Sequence, residues 1–186
     1  MSTYIIDSEP EVTAVADADE MLIFDASASV TKKVGADVLR QYVGSGVVEI
    51  TASDALTPAE HGNRMVTMNA LAGLTLTLPA ATGTGNVYRI SVSVTVTSND
   101  YIIQAASASD EFVGGVIQTD VDTTDTLASY PALDADGFDT ITLNGSTTGG
   151  IMGDSITITD IATGKFLLAG SINSTGTVAT PLSAAV

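Results

Sequence analysis

The stretch from Leu56 to Ala105, LTPAEHGNRMVTMNALAGLTLTLPAATGTGNVYRISVSVTVTSNDYIIQA, carries the pattern that decides the fold. Within it, Leu74-Thr75-Leu76-Thr77-Leu78 alternates apolar and polar residues without a break and stops at Pro79. A period of two places the leucines on one face of a strand and the threonines on the other. Two more strands are expected at Val87–Val96 and Tyr101–Ala105. The turn residues Gly83-Thr84-Gly85-Asn86 and Ser98-Asn99-Asp100 set them apart.

The same reading extends outward. Upstream, Val47–Thr51 and Arg64–Met68 have strand character. Downstream, Phe112–Gln118, Thr140–Leu143, Ser155–Thr159 and Phe166–Ser171 do. About nine short strands punctuated at this spacing predict an all-β chain, a β-sandwich or jelly roll, over residues 46–186. Thr57-Pro58-Ala59-Glu60 has the Thr-x-x-Glu capping pattern with Pro at the first helical position, so a single helical turn is expected there. Asp120–Asp139 is acidic and holds Pro131 and Gly137, which reads as a long surface loop. In the tail after Ser174, Val178 alone has strand character. Asp139-Thr140-Ile141-Thr142 resembles Asp154-Ser155-Ile156-Thr157, as the two edges of one hairpin would. No internal repeat is evident.

Residues 1–45 differ from the rest. They hold eight acids and three of the six basic residues. Met21-Leu22-Ile23-Phe24 is a short apolar run, and Asp25-Ala26-Ser27-Ala28-Ser29 reads as a turn. Val38, Leu39, Tyr42 and Val43 fall at helical spacing before Gly44, which predicts one helix of about two turns. Gly44-Ser45-Gly46 then reads as a hinge. A segment this small cannot bury its own apolar residues. It must pack on the following domain, a sister subunit or another protein.

Composition narrows the function. Apolar residues make up 45% of the 186, enough for a core, but aromatics are only 5%. There is no cysteine, which excludes disulfides, thiolate metal sites and cysteine nucleophiles. Net charge is −16, and the basic residues Lys32, Lys33, Arg40, Arg64, Arg89 and Lys165 form no cluster able to neutralise a run of phosphates. Nucleic acid and anionic membranes are therefore unexpected partners. The N-terminus MSTYIIDSEPE carries acids instead of a basic leader, and no apolar run approaches the length of a membrane span. A protein made soluble in the cytoplasm is expected.

Little points to chemistry. His61 is the sole histidine, and no G-x-S-x-G elbow accompanies it. A histidine bonded to backbone within the helical turn is the expectation. Asp134-x-Asp136-Gly137-x-Asp139 is the one metal-like cluster, but an EF-hand needs an oxygen ligand at the fifth position, Gly at the sixth and Glu at the twelfth. Here Phe138 stands fifth, Gly137 comes too early and Gly145 stands twelfth. A solvated acidic loop is expected, with calcium as the alternative. Aromatics to line a sugar groove are scattered. Gly83-Thr84-Gly85 lacks the third glycine and following helix of a dinucleotide site. No cofactor, no metal and no catalytic residue is expected.

The string LTPAEHGNRMVTMNALAGLTLTLPAATGTGNVYRI, followed by VTVTSNDYIIQAASASDE, resembles small virion proteins of tailed bacteriophages. So does the N-terminal VADADEMLIFDASASVTKKVGADVLRQYV. The resemblance covers residues 12–120, and its motifs are a style of sequence instead of a catalytic signature. It implies a structural protein of the particle, commonly a homotrimer. A head-decoration (cement) protein on the outer capsid surface, bridging capsomers of the major capsid protein, is the leading expectation. A head-fibre or tail-fibre module that binds a host surface ligand is the alternative. On the first reading the capsid or intersubunit contacts fall to Met21, Leu22, Ile23, Phe24, Lys32, Lys33, Leu39 and Tyr42.

Overall fold

The computed structural model describes residues 20–25, 29–35, 46–122 and 126–186. The chain divides into two units, Met1–Val43 and Gly44–Val186. In the first, β1 (Glu20–Asp25) and β2 (Val30–Gly35) pair antiparallel, from Glu20 opposite Gly35 to Asp25 opposite Val30. The helix expected at residues 36–43 lies outside the described residues.

Among its described residues the second unit holds twelve strands in two sheets. In chain order these are β3 (Val47–Ile50), β4 (Asp54–Ala55), β5 (Met65–Met68), β6 (Leu74–Thr77), β7 (Val87–Val92), β8 (Tyr101–Gln104), β9 (Glu111–Asp120) and β10 (Leu127–Ala132). Then come β11 (Thr140–Leu143), β12 (Ser155–Ala162), β13 (Lys165–Ser174) and β14 (Leu182–Ser183). One helical turn, α1 (Pro58–His61), joins β4 to β5. The larger sheet has the order β10-β9-β13-β12-β7-β5-β3, and the smaller β14-β11-β8-β6-β4.

From β3 to β8 the chain crosses between the sheets at every step. Each return restores its direction, so β3, β5 and β7 run parallel in one sheet while β4, β6 and β8 run parallel in the other. This part is a flattened coil of three turns. Of the two architectures expected, the sandwich is the one observed. Most pairing in the second half is antiparallel, but β9 and β13 run parallel over ten residue pairs. Gly114 permits that approach: its φ is +125°, and a Cβ there would fall on the Leu168 carbonyl.

The decisive alternation behaves as the sequence predicts. Leu74, Leu76 and Leu78 are buried, while Thr75 and Thr77 are half-buried on the other face. Opposite them Tyr88, Ile90 and Val92 on β7 face inward, so one core fills the space between the sheets. At full burial each Leu or Ile contributes about 1.5–3 kcal/mol. Phe112 and Phe166 lie side by side on β9 and β13, ring centroids 6.1 Å apart and tilted by 45°. With Tyr88 and Tyr101 they are core residues, which withdraws four aromatics from any binding surface.

Three expectations need correction. Asp120–Asp139 is not one long loop, because Leu127–Ala132 forms β10. This is an edge strand, the position where Pro131 breaks no ladder on its free side. Asp139–Thr142 and Asp154–Thr157 do not form a hairpin: β11 lies in the smaller sheet and β12 in the larger. Both stretches begin with a buried acid that accepts backbone N–H groups, from Ala185 and Val186 for Asp139 and from Gly150, Ile151 and Asn173 for Asp154. In the tail the strand is Leu182–Ser183 beside β11, where Leu182 is buried, and not at Val178.

Candidate functional site

The hairpin of the first unit gathers most of the residues expected to make contacts. Pairing sets Leu22 opposite Lys33 and Ile23 opposite Lys32, so the apolar run and the basic pair become cross-strand neighbours. Lys33 Nζ reaches diagonally across the pair to meet Glu20 Oε2 at 2.5 Å. Met21 is 49% exposed and Leu22 72% exposed. Leu39 and Tyr42 lie outside the described residues. Spacing alone could not pair the two runs, although the turn read in the sequence Asp25-Ala26-Ser27-Ala28-Ser29 was the signal for it. A two-stranded ribbon has little stability alone in water. One with bare Met and Leu side chains is suited to being covered by a partner.

His61 sits at the end of α1 and is only 3% exposed. Thr57 caps the turn: its hydroxyl accepts the Glu60 N–H at 3.2 Å. In a full capping box the Glu side chain would take the Thr57 N–H. Here His61 Nδ1 accepts it instead, at 3.0 Å. The imidazole proton therefore resides on Nε2, which faces Asp54 Oδ2 at 3.6 Å. Nδ1 is bonded to backbone, as expected of a structural histidine.

The carboxylates of the metal-like run diverge. Asp134 pairs with Lys165 at 2.6 Å, and Lys165 also meets Glu111 at 2.5 Å. These two partners raise the Lys165 pKa. Asp136 Oδ2 accepts the Leu133 N–H at 2.8 Å, closing its own turn. Asp139 is buried, and its Oδ1 accepts from Thr140 Oγ1 and from the N–H groups of Ala185 and Val186. Among the described residues no group of three or more His, Cys, Asp or Glu side chains converges to hold a metal ion. A shallow groove bordered by Ser53, Gly73, Thr75, Asn99 and Asp100 offers a single carboxylate.

Two further acids, missed by sequence reasoning, each accept four or more hydrogen bonds. Asp160 on β12 accepts from the N–H groups of Thr82, Gly83 and Thr84 and from the Thr84 hydroxyl. Burial opposes its ionisation, but these bonds, led by those from Thr84, outweigh burial and hold the carboxyl below its usual range. Asp154 accepts from the N–H groups of Gly150, Ile151 and Asn173 and from the Asn173 amide. There burial wins over the four bonds and raises the pKa. Tyr88 is pushed up to about 12, by burial first and then by the charge of Asp160. The signal for Asp160 was present: it follows Ile156 and Ile158 at the inward parity of β12. These acids tie loops to strands. Part of the chain's acidity is thus internal structure, not surface.

No protein-family model matches the chain, and no curated protein or solved structure matches it. No helix among the described residues is long and apolar enough to cross a membrane.

Proposed function

We propose that this chain is a non-enzymatic structural protein of a tailed-bacteriophage particle. It is a head-decoration (cement) protein that binds the outer capsid surface as a homotrimer and bridges capsomers of the major capsid protein. The observation that carries this reading is the division of labour between the two units. The second unit contains the whole described core, from Ile50 to Leu182, with buried Asp154 and Asp160 committed to loops. The first presents a ribbon with exposed Met21 and Leu22 beside the Glu20–Lys33 pair. A sandwich with its own core, joined in one chain to a ribbon that carries exposed apolar side chains, suits attachment to a lattice, where many weak contacts add through avidity. The phage-like strings at residues 12–120 supply the class of particle.

Mixing the purified protein with undecorated phage shells, followed by sedimentation, tests the reading. Shells should take up hundreds of copies, and Met21→Asp combined with Leu22→Asp should reduce uptake at least tenfold. Absence of uptake by the unaltered protein, or uptake of only a handful of copies as for a fibre, rejects the cement role.

A further inference from the structure

Alternation along the larger sheet sends one set of side chains into the core and the other outward. The register aligns the outward set in rungs across the strands. One rung runs through Gly115, Ala169, Thr157, Arg89, Met65 and Val47, from β9 to β3. The next runs from Ile117 through Ser171, Ser155, Ser91 and Thr67 to Glu49. Each rung carries one charge, a cation in the first and an acid in the second. At the near end of β9 and β13 the rung is Glu111 opposite Lys165, already an ion pair. The outward strand residues thus carry two cations, Arg89 and Lys165, against two acids, Glu49 and Glu111, with Asp134 from beyond β10 as a third acid beside Lys165, on a chain whose net charge is −16.

We infer that copies of this chain meet through the outward face of the seven-stranded sheet. Two surfaces of the same strongly acidic chain repel one another wherever both carry acids. Here they bring little net charge together, and the Arg89 of one copy can answer the Glu49 of another. Most side chains on the rungs are short, so ordering them costs little rotamer entropy. Ile117 and Leu167, both about half exposed, and Met65 give apolar area to bury. Seven strands about 4.8 Å apart, averaging about seven residues at 3.3 Å each, make a face of about 650 Å² in projection. A stable interface needs about 800 Å² of accessible surface per partner, which a pleated face of that size supplies. The outward face of the smaller sheet is also poor in charge, but its strands are shorter and fewer.

The inference rests on the self-association within the proposed function and not on its capsid half. Light scattering of the full chain at micromolar concentration tests it. The unaltered protein should show a multiple of its 18.9 kDa mass. Ala169→Glu and Thr157→Glu, each verified as folded by circular dichroism, should shift the mass to that of the monomer. Thr75→Glu, on the smaller sheet, should leave it unchanged. A monomeric unaltered protein overturns the inference, and so do folded Ala169→Glu and Thr157→Glu variants that keep the full mass. Should the two central variants fail to fold, Arg89→Glu, at an exposed site, takes their place with the same two outcomes. A monomer that still binds shells overturns this inference and the homotrimer and leaves the capsid role standing. A multimer dissociated by Ala169→Glu that never binds shells upholds it and removes the capsid role.

Discussion

Asp160 Oδ1 accepts the Gly83 backbone N–H at 2.6 Å, joining groups 77 residues apart in sequence. The N–H groups of Thr82 and Thr84 bond to the same carboxylate. A loop that would otherwise leave three donors unpaired is closed by one side chain from a distant strand.

Asp160→Ala leaves those donors without their acceptor. Each unsatisfied buried donor costs about 1–3 kcal/mol, and water regains some of them, so a loss of about 3 kcal/mol is expected. Urea unfolding measures it, with the midpoint falling and the slope unchanged. A change below about 1 kcal/mol would mean that the loop finds other partners.

Asp160 and Asp154 should act on stability with opposite signs. The Asp160 carboxyl lies below its ordinary value when folded, so its contribution is present above the unfolded pKa and lost as pH falls through the folded one. The Asp154 carboxyl lies above its ordinary value, so the folded state holds that proton more tightly. Its contribution therefore weakens as pH rises from the unfolded pKa through the folded one. Carboxyl chemical shifts followed against pH should show Asp160 titrating below free aspartate and Asp154 above it. The reverse order would contradict the hydrogen-bond assignment.

The α1 turn makes a separate prediction. Thr57→Ala removes the cap on the Glu60 N–H and should cost about 1 kcal/mol. His61→Ala leaves the Thr57 N–H unpaired and a cavity beside it, and should cost about 2–3 kcal/mol. Thermal unfolding of the two variants and their combination checks both. Coupling is expected in the double variant, because the residues share one turn.

Deleting residues 1–45 should leave a folded β protein, since every described core residue lies between Ile50 and Leu182. The truncated chain should keep its far-ultraviolet dichroism and a cooperative melt, yet lose binding to phage shells. Full decoration by the truncated chain would show that the ribbon is not the anchor.

Much of the fold was legible because it is written in short-range pattern. The Leu74–Leu78 alternation, the Thr57-Pro58-x-Glu60 cap and the glycine-rich turns each express a local constraint that a few neighbouring residues satisfy. The structural place of His61 followed from that cap. Edge strand β10 was hidden because Pro131 and exposed Leu127 are weak strand signals, tolerated only where one side of the strand needs no partner. The cross-strand meeting of Leu22 with Lys33 was hidden because pairing register depends on the turn between them.

The sequence by itself determined that this is an all-β chain with a leucine-lined face, no thiol chemistry and a distinct first segment. Composition and period two are properties of a residue and its near neighbours. Only the tertiary structure decided which sheet each strand joins. Unequal connections, from β3 to β5 and from β5 to β7, conceal the three-turn coil from any search for a fixed repeat. Only the tertiary structure, too, turned Asp154 and Asp160 into internal fasteners. Whether a carboxylate serves solvent or holds a loop depends on donors that arrive from elsewhere in the chain, and Gly83 reaches Asp160 only once the sandwich has closed.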